Sequence, residues 1–455
     1  MIRGAWPTLT RFVPEGAALL AVLIFGSYLL GLVRDRTFAR TFGAGSALDA
    51  YNAAFVLPEL LLDVLVEAGL AAPFIPIFLR LRSAGDGADG DRFARTILTA
   101  AVTVMGGAAV VLFVAADATT GLIAPGFDGA QRELYVSLFR VMLVTPILFA
   151  ASLTLGQVLL AEQRFFWYGV APLLYNAGII LGTIAFGGTL GIYGPAIGAV
   201  IGATLHLGSR LVGLRGSPFR VRLGWNPRTA PVREFVRLML PKMASHPVES
   251  TTFLFFTAVA SGLAAGSVTA VSFARNFQSV PVSVIGVAFA LAAFPGLSTA
   301  AAVHDRRAFL RLLGTNLVSV TLLTTAAAVV LMVVGELAIS VLLGGGEFDE
   351  GDVRLTASLL GAFAISIPFE SLTHLLSRAI YATRHTILQV LASLAGLGIT
   401  VAATLLLLPA WGIVAVPLGF AIGQAGKVVL LALALAVRMR TLPPDRQFTD
   451  ERRRD

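Results

Sequence analysis

Apolar runs of roughly 20 residues, the length that crosses a bilayer as a helix, follow one another along this chain with short polar breaks between them. They lie at 15–33, 48–79, 93–116, 135–160, 167–187, 192–209, 236–260, 267–300, 309–342, 353–381, 387–408 and 412–437. The pattern predicts an all-α membrane protein with about twelve transmembrane helices. Two runs are overlong and hold internal prolines, Pro58, Pro73 and Pro76 in one and Pro281 and Pro295 in the other. Proline removes a backbone donor and clashes with the preceding turn, so kinks are expected there. The first run leads directly into charged residues with no small-residue cleavage pattern, and it reads as a retained helix.

A second pattern lies over the first. LGIYGPAIGAVIG (190–202) aligns with AWGIVAVPLGFAIG (410–423) at an offset of about 221 residues, matching Gly191 with Gly412, Gly198 with Gly419 and Gly202 with Gly423. The same offset sets Phe127-Asp128 over Phe348-Asp349 and Ala161 over Ala382. An offset of six helices preserves orientation, which predicts two parallel six-helix repeats around a central cavity. The domain expectation is an N-terminal lobe over 1–209, a cytoplasmic inter-lobe linker over 210–235, a C-terminal lobe over 236–437 and a basic cytoplasmic tail over 438–455.

Composition agrees with a chain organised by lipid. Hydrophobic residues make up 56% and charged residues 13%, against about 25% charged in soluble domains. The net charge of +8 does not indicate nucleic acid, because its arginines sit in short connections. With the N-terminus inside, they concentrate in connections 80–95, 161–166, 210–237, 301–311 and 382–386 and in both tails. That bias places both termini in the cytoplasm. Arg34, Arg36 and Arg40 fall on the outer side, which favours a functional reading for them. The chain has no cysteine, so thiolate metal sites are excluded. Nucleotide-binding loops and HExxH or Gly-x-Ser-x-Gly motifs are absent from the sequence, and the chain reads as a transporter rather than an enzyme.

Ionisable groups at membrane depth are expensive and mark paths for substrate or ions. Arg34-Asp35 ends the first run, as a snorkelling pair or as a guanidinium that grips an anion bidentately. Glu59, Asp63 and Glu67 recur at i+4 spacing, which predicts one acidic helix face that meets Arg34, Arg275 or water and offers a coupling route for protons or cations. Lys242, His246 and Glu249 share a face in the seventh run. Glu370, His374 and Arg378 form an i+4 series in the tenth, readable as a local ladder of helix pairs. Arg275, inside SFARNFQS, is the second candidate anion contact.

These residues resemble a known family. LGLVRDRTFARTFGAGSALDAYNAAFVLPELL is similar to the first two helices of the MurJ/MviN lipid II flippases of the MOP transporter superfamily. APGFD (124–128), Leu160-Ala161 with Arg164-Phe165, Pro172 and Asn176, GVAFALAAFPGLS (286–298), and GGGEFDEGD (344–352) followed by Arg378-Ala379-Ile380-Tyr381-Ala382 continue the resemblance in order. It implies a V-shaped MOP fold in the bacterial cytoplasmic (inner) membrane that flips a polyprenyl-pyrophosphate-linked peptidoglycan precursor to the outer leaflet. Arg34, Asp35, Asp49 and Glu67 match charged positions of the family. Several positions depart from it. Tyr28 stands where the family has Arg, Leu62 and Asp63 replace paired arginines, Ser279 replaces a Glu, and Ala274-Arg275-Asn276 shifts an arginine by one place, about 100° around the helix. The family also has two further helices that help form a lipid-tail groove.

The resulting expectation is a lipid-linked glycan flippase in which Arg34 and Arg275 contact pyrophosphate and Asp35, Asp49 and Glu67 orient them or respond to ions. Glu59, Asp63, His246, Glu249 and Glu370 are candidate coupling or cavity residues. No cofactor is expected; the drive is a coupling ion (sodium or proton) or the membrane potential. The partners are the lipid-linked glycan, membrane lipids and other cell-wall synthesis proteins, not nucleic acid. The alternatives are a cation-coupled multidrug exporter of the same superfamily and a non-transporting membrane scaffold.

Overall fold

The computed structural model describes residues 16–64, 68–84, 87–245, 247–383 and 386–441. Among them every named element is helical. Its packing divides it into two compact units: the chain through Gly266 together with Leu342–Phe348, and Ser267–Val341 together with the chain from Asp349 onward.

The first unit contains α1 (Ala17–Phe42), α2 (Ser46–Leu62), α3 (Ala68–Ser83), α4 (Ala88–Val114), the short α5 (Ala116–Ile123), α6 (Gly129–Met142), α7 (Val144–Ala161), α8 (Phe165–Leu190), α9 (Tyr193–Gly213), α10 (Ala230–Ser245) and α11 (Pro247–Ser261). The sequence reading puts the lobe boundary at 210–235. In the structure α10 packs on α3 and α11 packs on α2 and α5, so both belong to the first unit. Phe74, Phe78, Phe93 and Phe235 form the aromatic centre of this packing, with ring centroids 5.4–5.9 Å apart.

The second unit contains α12 (Ser267–Pro281), a π-helical segment (Val282–Val287), α13 (Ala288–Ala302), α14 (Arg306–Leu342), α15 (Glu350–Ala364), α16 (Ser366–Ala382), α17 (Thr386–Trp411) and, after a 3₁₀ turn at Gly412–Val414, α18 (Ala415–Thr441).

The internal repeat is visible inside each unit taken separately. Asp128 caps α6 by accepting from the Gln131 N–H, and Asp349 caps α15 by accepting from Asp352. The chain breaks at Leu143 and again at Ile365, in each case three residues before a proline, Pro146 or Pro368. That ring cannot donate to the turn before it, so the helix bends; α15 and α16 meet at 43°. Gly191 and Gly412 take left-handed φ values of 55° and 53° where a hairpin turns back. The hairpins themselves correspond. Gly178 lies against Gly202 and Gly182 against Gly198, and in the second unit Thr400 lies against Gly423 and Thr404 against Gly419. Partner numbers fall as the helix number rises, so both pairs are antiparallel. Lipid supplies little hydrophobic drive between helices, and small residues instead let backbones approach closely.

Eight helical stretches among the described residues are long and apolar enough to cross a membrane, or nine counting the bent α15–α16 pair. One of them, Ile387–Met439, contains both helices of the second hairpin. Residues 65–67 of the 48–79 run and residue 246 of the 236–260 run lie outside the described residues. In the 267–300 run the helix passes into a π-helical segment directly after Pro281.

Candidate functional site

The charged stretch at 34–40 is carried on an unbroken helix. α1 continues through GLVRDRTFART until Gly43, at φ 64°, donates its N–H to Ala39 O and stops it. Arg34 Nη2 and Nε both reach Asp35 Oδ1, at 2.8 and 3.0 Å, and Nη1 donates to Asn176 Oδ1 on α8 at 3.2 Å. Asn176 is in turn oriented by donating to Ser27 and to Pro172 O. The Arg34 side chain keeps 28% of its surface while Asp35 keeps 10%. The guanidinium is thus held in a fixed attitude by a buried carboxylate and a side-chain amide. A planar fork presented this way can receive a second anion.

The other acidic candidates of the first unit go elsewhere. Asp49 is buried and accepts from the Gly266 N–H at 2.7 Å, closing the turn before α12. Gly266 sits at φ 89°, and a Cβ there would run into the Ala44 backbone. Glu59 is exposed on α2. Asp63 accepts from Ser250 Oγ of α11 at 2.7 Å. α2 ends at Leu62 and Asp63-Val64 continue it as a π turn. Glu67 and His246 lie outside the described residues, as do the side chains of Glu249 and Lys242.

In the second unit Arg275 on α12 is almost wholly buried, and so is Glu370 on α16. Arg275 Nη2 and Nη1 meet the two Glu370 oxygens at 2.7 and 3.2 Å. Gln278, one turn along α12, accepts from Arg275 and donates to Glu370 Oε2 at 2.9 Å and to Ser366 Oγ at 3.1 Å. Phe420 of α18 covers the guanidinium at 5.1 Å. The i+4 spacing predicts a ladder of Glu370 with His374 and Arg378 along one helix. The Glu370 hydrogen bonds cross to α12, and Arg378 lies over Phe294 at 5.6 Å. Arg275 keeps only 7% of its side-chain surface exposed.

The outward arginines also acquire a role. Arg36 Nη1 donates to Leu342 O at 2.9 Å, and Arg40 Nε and Nη2 donate to Gly344 O at 3.1 and 2.8 Å. Arg40 O accepts from the Glu347 N–H. Gly345 and Gly346 take φ values of 106° and 63°, so the glycine cluster forms a turn strapped onto α1.

The structure therefore joins Arg34 to Asp35 in the first unit and Arg275 to Glu370 in the second, and gives Asp49 and Asp63 separate partners. Ser27, Gln278 and Ser366 are residues that the sequence reading does not single out, and Asn176 enters it only as part of the resemblance. Asn176 and Gln278 carry one legible signal, an amide inside an apolar run.

Comparison with known proteins follows from this geometry. The profile of the family described as "Lipid II flippase MurJ" matches residues 38–449. A probable lipid II flippase MurJ of Thermotoga maritima is 28% identical over 416 residues, covering 91% of this chain and 80% of that one. The lipid II flippase MurJ of Burkholderia cenocepacia is 26% identical over 424 residues, covering 90% and 81%. Among solved structures, a lipid II flippase MurJ in an inward closed conformation superposes with TM-score 0.78 at 22% identity, covering 92% of this chain and 87% of that one. An inward-facing MATE multidrug transporter of the MOP superfamily gives 0.80 at 15% identity, covering 91% and 95%. At such identities the structural likeness establishes the fold.

Proposed function

The chain belongs to the lipid II flippase MurJ family, and from that premise we propose that it carries lipid II across the bacterial cytoplasmic membrane by alternating access. The observation that carries the proposal is the match of the family profile to residues 38–449. The polyprenyl tail stays in lipid while the pyrophosphate-linked headgroup passes through protein. The likeness to a multidrug transporter is one of fold, and it does not favour drugs as cargo.

The headgroup contact we assign is Arg34. A pyrophosphate offers paired oxygens that match a guanidinium fork, and such charge-assisted bonds are about twice as strong as neutral ones. Arg34 is already oriented by Asp35 and Asn176, and its side chain keeps 28% of its surface. An arriving phosphate competes with Asp35 for the fork, so Asp35 sets how tightly the anion is held. Arg275 becomes a second contact only where Glu370 releases it.

The arginine-rich connections support both termini in the cytoplasm. An anionic headgroup moving outward also travels down an inside-negative potential, worth about 2.3 kcal/mol per charge per 100 mV. Membrane potential, alone or with a sodium or proton gradient, is the drive we favour. Reconstitution tests the proposal: purified protein in proteoliposomes should move labelled lipid II from one leaflet to the other, faster with an inside-negative potential. Well-folded protein that leaves lipid II in place would overturn it.

A further inference from the structure

The connection between α9 and α10 is long, irregular and firmly seated. Arg164 Nη1 donates to Gly213 O and Arg215 O, and Ser217 Oγ donates to Glu162 at 2.7 Å. Phe219 is buried beneath Arg95. Arg95 Nε then donates to Arg220 O at 3.0 Å, and the Gly224 N–H donates to Thr99 Oγ1 at 3.0 Å. Arg95 and Thr99 are one turn apart on α4, about 6 Å along its axis. The connection therefore climbs α4 in the direction in which that helix enters its apolar stretch.

This level has a chemical meaning. The first two turns of α4 carry Asp89, Asp91, Arg92 and Arg95, and no ionisable residue follows in the rest of the helix. Thr99 stands where the charged end gives way to the membrane-spanning part. Beside it the connection presents Leu223, 72% exposed, and Trp225, 63% exposed. Tryptophan at the lipid–water boundary is the expected occupant of such a position.

The same connection is strongly basic. From 211 to 233 the sequence holds Arg215, Arg220, Arg222, Arg228 and Arg233 and no acidic residue. All five are exposed, and none of them forms an ion pair among the described residues. Five uncompensated arginines around an exposed Leu and Trp, pinned by backbone hydrogen bonds at the end of a span, complement an anionic lipid surface. Clusters of four to eight basic residues next to a membrane attract anionic headgroups by about 1 kcal/mol per residue.

We propose that the 215–228 connection is a seat for anionic phospholipid, with Arg220, Arg222 and Arg228 taking headgroup phosphates while Leu223 and Trp225 enter the interface. The occupant is a bilayer lipid rather than the transported precursor. Its binding is separable from transport, because the test below contains no lipid II and reads no flipping.

The experiment retains Trp225 as the sole tryptophan by changing Trp6, Trp167 and Trp411 to Phe. The full chain is reconstituted in mixed phosphatidylglycerol–phosphatidylcholine vesicles in which one lipid at a time carries brominated acyl chains. Both brominated lipids should quench Trp225. Per mole, brominated phosphatidylglycerol should quench as though enriched about threefold or more around the residue. Combining Arg220→Ala, Arg222→Ala and Arg228→Ala should abolish that preference and leave quenching by phosphatidylcholine, and high salt should weaken it in the parent. Equal quenching by the two lipids, or a preference that survives removal of the arginines, overturns the proposal. So does a Trp225 that neither lipid quenches, which would place it in water or under another protein. Should the single-tryptophan protein not fold, the difference in quenching between wild type and Trp225→Phe gives the same readout.

Discussion

Replacing Glu370 with alanine isolates the difference between the two arginine sites. Glu370 accepts two bonds from Arg275 and one from Gln278, and both members of the ion pair keep less than a tenth of their side-chain surface. Removing the carboxylate leaves a guanidinium that cannot lose its proton and cannot reach water. Breaking a buried pair in this way costs about 3–5 kcal/mol. The Arg34 side chain is more open, at 28%, so Asp35→Ala should cost less than Glu370→Ala. Equilibrium unfolding in mixed micelles can separate these values. A second variant carries the argument further: Arg275→Met combined with Glu370→Leu removes both charges and fills similar volume. It should recover most of the stability lost in Glu370→Ala. If Glu370→Ala unfolds within about 1 kcal/mol of wild type, the network is not the closed, water-free cluster described above. If the paired replacement is no better than Glu370→Ala, burial of an unpaired charge is not the cause of the loss.

Other expectations follow from the same packing. Gly182→Val places a side chain against the Gly198 backbone and should destabilise the α8–α9 hairpin by about 3 kcal/mol. Gly107→Ala, with open space around it, should stay within about 1 kcal/mol of wild type; equal effects would refute backbone contact as the reason. Arg40→Ala removes both bonds to Gly344 O and should speed amide exchange at Glu347 about fivefold, the equivalent of ~1 kcal/mol; unchanged exchange would mean the strap is held by other contacts. At the α3–α10 junction the hydrogen bond from Arg80 holds the Glu234 carboxyl below its ordinary value of 4.5. A depressed folded-state value stabilises above pH 4.5 and is lost as pH falls through it. Wild type should therefore exceed Glu234→Gln in stability at pH 7, and the gap should close as pH falls below the depressed folded-state value; a gap independent of pH would show that the pair does not titrate.

Much of the architecture is written locally and can be read. The repeat offset pairs Asp128 with Asp349 and Gly191 with Gly412, and these prove to be matching helix caps and matching left-handed turns. Each is a short-range device whose residue type states its purpose. Pro281 likewise marks the point where helical geometry changes to π. Pairing across distance is what stays hidden. Arg275 and Glu370 are 95 positions apart and Arg34 and Asn176 are 142 apart, and periodicity on one helix cannot name a partner on another. Arg36 and Arg40 stand out as exceptions to the charge rule, yet their acceptors are backbone carbonyls, which carry no sequence signal.

The central claim is that Arg34 receives the pyrophosphate while Arg275 is held by Glu370. Lipid II translocation in proteoliposomes tests it most directly, comparing wild type, Arg34→Ala, and the Arg275→Met with Glu370→Leu pair, each checked for folding. The account predicts that Arg34→Ala abolishes flipping and that the paired replacement retains much of it. Normal flipping by Arg34→Ala would contradict the assignment of the headgroup contact. Complete loss in a well-folded paired variant would show instead that Arg275 is indispensable to transport.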